Sequence, residues 1–457
     1  MAWIDTEGAA RLRDVTIPVC LAPGASLTPD VRGLARADIA LDGGRIGAIA
    51  PAAPTPLQAG DIVCDGGMVW PCFADLHTHL DKGHIWPRRA NPDGTFMGAL
   101  SNVGADREAH WSARDVSARM EFALRCAYAH GTSAIRTHLD SIPPQPAISF
   151  PVFAEMRERW AGQIALQSVA LFSIDRALAP DELDTIARTA AEHGGILGPV
   201  SFPMDGLDDA LDRAFEAAAR HELDLDLHVD ETQDPESRTL LSVAEATIRH
   251  GYQGRVTAGH CTSLALQDDA MRARIIARVA EAEMAVVSLP LCNMYLQDRH
   301  RQGWDGETFD AETGVETPTR TPRWRGVTAV HELKGAGIPV AFASDNTRDP
   351  FYAYGDLDMV EVHREATRIA HLDHPVGDWP RAFTTTPADV MGLSDVGRIA
   401  AGGPADLVLF RARDWSELLS RPQSDRAVLR AGRPIDTALP DYRELDALLA
   451  RQQETAS

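Results

Sequence analysis

A chain of 457 residues, 44% hydrophobic and 24% charged, is too long for one small core and has the balance of a globular protein. Its net charge of −22 repels a phosphate backbone and an anionic bilayer, which argues against nucleic acid or a membrane as partner. No apolar run reaches the roughly 18 residues that span a bilayer, the first residues do not read as a signal peptide, and the six cysteines form no C-x-x-C pair, so a cytoplasmic protein with free thiols is expected.

Residues 1–68 hold short alternating runs such as DIALDGGRIGAIAP, broken by Gly and Pro, which read as β-hairpins. Eight short apolar runs then follow: CFADLHTH, AIRTHLD, IALQSVALF, ILGPVSF, LDLDLHVDE, RVTAGH, MAVVSLPL and IPVAFASD. Between them lie stretches such as LDDALDRAFEAAARH, with apolar residues three and four apart, as on one face of a helix. Eight strands alternating with helices predict an α/β fold, a (β/α)8 TIM-like barrel over about 69–390. Residues 391–457 return to hairpin character in GRIAAGGPADLVLF and AVLRAGRPI, then a helix and a frayed tail after about 440. The two ends are expected to pair into one small β-sandwich domain beside the barrel.

Residues two apart on a strand face the same way, so His77 and His79 project together from the end of the first strand. His228, His260 and Asp345 end the fifth, sixth and eighth. Active sites of such barrels lie at that end of the strands. Imidazoles and a carboxylate arriving there suit one divalent metal, zinc or iron, with a place left for water. H-x-H alone is weak evidence in a chain with 16 histidines; the joint pattern is stronger. Glu231, three residues past His228, is placed either to shuttle a proton or as a solvated loop glutamate. Only two of the 44 basic residues are lysines, and Lys82 stands three past His79.

The stretches HTHLD (77–81), RTHLD (136–140), LHVDE (227–231), RVTAGH (255–260), PLCNMYLQDR (290–299) and SDNTRDPFY (344–352), in that order, resemble the cytosine deaminase and N-isopropylammelide aminohydrolase branch of the amidohydrolase superfamily. The resemblance implies a distorted barrel and one metal held by His77, His79, His228 and Asp345. It implies that His260 touches the attacking oxygen, that Asp345 accepts its proton, and that Glu231 protonates a ring nitrogen. The reaction it implies replaces a ring amino group by a carbonyl and releases ammonia. Oligomers are common among such relatives, so a homo-oligomer is expected.

Three positions depart from cytosine deaminase itself. Ser173 stands where a glutamine reads the pyrimidine edge, Asn346 where a second aspartate follows the metal ligand, and Phe351 where a tryptophan follows D-P. These positions face substrate, so the departures alter recognition and leave the metal chemistry whole. Lys82 is placed either to meet a ring oxygen or to pair with a loop carboxylate. The expected substrate is a small aminated heterocycle other than cytosine, leaning to a 2-amino-4-oxo ring such as pterin or isocytosine; N-substituted aminotriazines and cyclic amides are the alternatives. A bridged metal pair is disfavoured, because the fourth strand, ILGPVSF, has no lysine. The long segment about 298–325, with Trp304, Phe309 and Trp324, reads as a lid or a subunit contact.

Overall fold

The computed structural model describes residues 3–302, 308–310 and 320–450. Each of the eight apolar runs contains a strand: Phe73–Thr78, Thr132–Asp140, Ala165–Ser173, Ile196–Ser201, Leu225–Val229, Val256–His260, Ala285–Ser288 and Val340–Phe342. They form one parallel sheet in chain order. It closes into a barrel through a bridge between Thr78 and Asp345, where the Asp345 amide donates to the His77 carbonyl at 2.9 Å. Strands buried on both faces lose the polar–apolar alternation, and Phe73–Thr78 and Thr132–Asp140 are buried at every position.

The helices between the strands carry their apolar residues on one side. In Leu207–Arg220, Ala210, Leu211, Ala214, Phe215, Ala217 and Ala218 are buried, and the charged residues face out. Helix Ala113–His130 starts where the Ser112 side chain accepts the Asp115 amide and ends at Gly131, whose φ of 93° suits glycine. A β-carbon at Gly131 would stand 2.6 Å from Val408 Cγ2, so this glycine also lets the helix end against the terminal sheet.

The two ends of the chain do pair. Met68–Pro71 lies antiparallel to Leu407–Phe410, and the sheet extends through Arg11–Pro18, Leu34–Asp42 and Arg45–Pro51 on one side and Ala427–Arg430 on the other. Leu12, Ile17, Ile39, Val69, Leu407 and Leu429 form its own core. Each such side chain, fully buried, contributes about 1.5–3 kcal/mol. Leu449 of helix Asp446–Leu449 and Leu445 just before it pack on Phe122 and Cys126 of the barrel.

The six cysteines are free thiols. Among the described residues no helix is long and apolar enough to cross a membrane. Of the long segment after the seventh strand, His300–Gln302 and Thr308–Asp310 pair antiparallel. Trp304 lies outside the described residues, as does the side chain of Phe309, and Trp324 donates its ring N–H to Gln297 at 2.7 Å.

Candidate active site

The barrel brings His77, His79, His228, His260 and Asp345 to one point at the C-terminal end of the strands. His79 Nε2 lies 3.3 Å from both Asp345 Oδ1 and His228 Nε2, and His77 Nε2 lies 3.7 Å from the same Asp345 oxygen. Around a tetrahedral ion with bonds of about 2.0–2.1 Å, ligand atoms stand about 3.3–3.4 Å apart. Two of these three distances match that spacing, and the sets whose ligand atoms all lie within 4.8 Å of one another are His77, His138 and His228, and His77, His260 and Asp345.

Their hydrogen bonding agrees. His77 Nδ1 and Nε2, His79 Nδ1, His228 Nδ1 and both carboxylate oxygens of Asp345 are buried with no hydrogen-bond partner. Buried polar atoms are nearly always paired, and six such atoms in one cluster mark a place built for something else. Burial, with the neighbouring imidazoles, holds His77 and His79 well below the usual histidine range, so their lone pairs are free to ligate. Burial likewise pushes the Asp345 carboxyl up to about 8. A divalent cation supplies the opposite charge this carboxylate lacks, and the donor set fits one. Asp345 is held at a φ of 65°, rare outside glycine, by its bond to the first strand.

Glu231 follows the fifth strand. Its Oε1 lies 3.4 Å from His260 Nδ1 and accepts from Asn293 Nδ2 at 3.4 Å. Burial and the nearby Asp345 carboxylate raise it well above the usual glutamate range. A carboxyl whose hold on its proton is strengthened in this way is suited to donate one, the opposite of a solvated loop glutamate. It opens onto a cavity of about 450 Å³ whose walls include Phe96, Val200, Phe202, His228 and Leu296. That volume and apolar lining suit a flat heterocycle.

Lys82, Ser173, Asn346 and Phe351 stand apart from those walls. The Lys82 ammonium is buried and pairs with Asp140 at 2.9 Å, with Arg107 on the other oxygen at 2.8 Å. It lies 5.5 Å from the centre of the Phe351 ring. Asn346 donates to Asp349 at 2.8 Å. The strand register sets Ser173 beside Val200 and Val200 beside His228, and the Ser173 hydroxyl bonds Asp175.

Two residues of the cluster were not singled out as site residues in the sequence. His138, inside RTHLD, has its ring centre 4.0 Å from that of His77, and its Nε2 lies 3.4 Å from Asp226. It shares the strand parity of Arg136, which pairs with Asp226 at 2.7 Å below it. Asn293, inside PLCNMYLQDR, touches both Glu231 and His260. Their signal was membership in the quoted motifs, not any periodicity.

A model described as the amidohydrolase family matches residues 154–436. The pterin deaminase of Rhizobium rhizogenes (strain K84) is 56% identical over 450 residues, covering 98% of this chain and 99% of that protein. The N-isopropylammelide isopropyl amidohydrolase of Pseudomonas sp. (strain ADP) is 24% identical over 390 residues, covering 82% of this chain and 87% of that one. The crystal structure of 5-methylcytosine deaminase from Klebsiella pneumoniae liganded with phosphonocytosine superposes with a TM-score of 0.77 at 24% identity, covering 94% of this chain and 99% of that one.

Proposed function

Because this chain belongs to the amidohydrolase family, we propose that it is a metal-dependent deaminase that converts a 2-amino-4-oxo heterocycle, a pterin, to its oxo form with release of ammonia. The observation that carries this reading is the 56% identity to a pterin deaminase over nearly the whole of both chains. The donor cluster and the raised Glu231 carboxyl beside an apolar cavity support it.

His77, His79, His228 and Asp345 are the proposed ligands of one zinc or iron ion. When bound, such an ion makes water nucleophilic near neutral pH. Glu231 delivers its proton to the ring nitrogen beside the carbon that bears the amino group, which makes that carbon electrophilic. Asp345, beside the proposed water site, takes the proton lost by the attacking water. His260 turns Nε2, free of any protein partner, to the developing tetrahedral centre and steadies its charge. A proton passed to the amine then lets ammonia leave.

Lys82 acts on this chemistry through its field: the buried ammonium draws the carboxyls of Asp345 and Glu231 toward their charged forms, against the effect of burial. Phe351 and Asn346 set the shape of the loop behind Asp345, and Ser173 lies beside Val200, one residue behind the cavity wall. The protein works as a cytoplasmic homo-oligomer.

The reading is tested by ammonia release from metal-loaded protein offered pterin, isocytosine, cytosine and N-isopropylammelide. Pterin is the expected substrate, with kcat lower by about a hundredfold to ten-thousandfold in Glu231→Gln. Turnover of cytosine or the triazine with pterin untouched would sink the proposal.

A further inference from the structure

We propose that Asn293 is a positioning residue that fixes the tautomer of His260, so that His260 faces the reaction as a hydrogen-bond donor and not as a fifth metal ligand. The inference rests on the reading of the site given above and concerns one question that reading leaves open. His260 stands close enough to ligate: His77, His260 and Asp345 offer ligand atoms all within 4.8 Å of one another. Some feature must keep its Nε2 from joining the ion.

A neutral imidazole has one N–H and one bare nitrogen, and the partner of one ring nitrogen decides the state of the other. The partner here is Asn293. It lies on the short helix Pro290–Leu296 after the seventh strand and is fully buried. Its Nδ2 lies 3.0 Å from His260 Nδ1 and 3.4 Å from Glu231 Oε1. An amide nitrogen has two hydrogens and these two acceptors to meet. Glu231 Oε1 is an acceptor here, its acid proton being carried on the other oxygen toward the cavity, so it rejects the amide oxygen and the –NH₂ group faces Glu231 and His260 together. Donation to Nδ1 leaves that nitrogen without a proton. The ring proton then sits on Nε2, the atom that points into the cluster and has no protein partner.

The surroundings hold Asn293 in that position. Its backbone N–H donates to Leu289 and its carbonyl accepts from Gln297, at 3.1 and 3.0 Å. Gly326 packs against it so closely that a β-carbon there would lie 2.7 Å from Asn293 Cβ. His260 is itself held at a φ of 69°, with its carbonyl accepting from Thr328 Oγ1 at 2.7 Å. The backbone on both sides of the contact is thus held in place.

The test is Asn293→Asp in the cobalt-substituted protein. A carboxylate accepts from Nδ1–H and so moves the bare lone pair to Nε2. His260 then joins the ion, and the visible absorption of cobalt falls and shifts as its coordination number rises. The double variant Asn293→Asp/His260→Ala should return to the wild-type spectrum, which separates ligation from the added charge. Asn293→Ala, which releases the tautomer without imposing the other one, should lower kcat about tenfold to a hundredfold with KM little changed and move the cobalt spectrum part of the way toward that of Asn293→Asp. A wild-type cobalt spectrum in folded Asn293→Asp, or a shift that persists once His260 is removed, would overturn the proposal. Protein that fails to deaminate pterin still reports through the cobalt spectrum, so failure of the proposed substrate and failure of this inference give different results.

Discussion

Two buried polar assemblies lie side by side in this molecule, and they are built on opposite principles. In one, Arg88 donates to Asp106 at 2.9 and 2.8 Å and to Asp115 at 2.8 Å, while Arg119 donates to Asp115 and to the carbonyls of Asp81 and Gly83. Trp111 supplies a further N–H to Asp106. Both carboxylates and both guanidinium groups have partners in the protein. In the other, six nitrogen and oxygen atoms of His77, His79, His228 and Asp345 have none. Burial alone is therefore no mark of function; several unpaired nitrogen and oxygen atoms converging on one point are a stronger one. The paired assembly anchors the turn that follows His79, so the first holds the chain from which the second is built.

The contrast breaks most sharply at Asp345. Asp345→Ala should reduce bound metal to near zero and activity by about a thousandfold or more, the several kcal/mol that such an ion supplies. Metal analysis and single-turnover kinetics would measure both. Retention of one tightly held ion would remove Asp345 from the ligand set.

Arg88→Met should act on the other assembly. It leaves Asp106 and Asp115 short of their counter-charge, at a cost of about 3–5 kcal/mol. Urea denaturation should record that loss while the surviving folded protein keeps its metal. A fall in metal content larger than the fall in folded protein would show that the two assemblies are one unit.

A smaller effect comes from Asp358, which caps helix Met359–Ala370 and pairs with Arg426 at 2.7 Å. Burial pushes its carboxyl up, but the Arg426 guanidinium outweighs burial and holds it at about 2, below the ordinary 3.8. The folded form thus releases this proton more readily than the unfolded chain. Its contribution, about 2 kcal/mol, is present above about pH 4 and disappears as pH falls through about 2. The difference in denaturation midpoint between wild type and Asp358→Asn should shrink over that range. A constant difference would assign the pair no share of acid stability.

The barrel was legible because its strands are buried on both faces: runs such as CFADLHTH and LDLDLHVDE carry that pattern, and their polar residues mark the strand ends. The ends of the chain were legible as hairpins for the same local reason. Lys82 was conspicuous as one of two lysines, yet its partner Asp140 lies on another strand, and no spacing in the sequence joins them. The Arg88 assembly was invisible for a like reason. Its members come from a loop and two helices, and charges gathered by the fold leave no period behind. His138 and Asn293 stood inside quoted motifs, but what they touch, Asp226 and Glu231 with His260, becomes visible only when the strands close.

The bridge between Thr78 and Asp345 has a consequence for how the protein is made. A growing chain displays His77, His79 and His228 long before the residue that closes the barrel has been synthesised. Until the eighth strand docks, those imidazoles have neither the aspartate nor a wall on that side. The proposed ligand set is therefore complete only once the eighth strand has been made and has docked against the first.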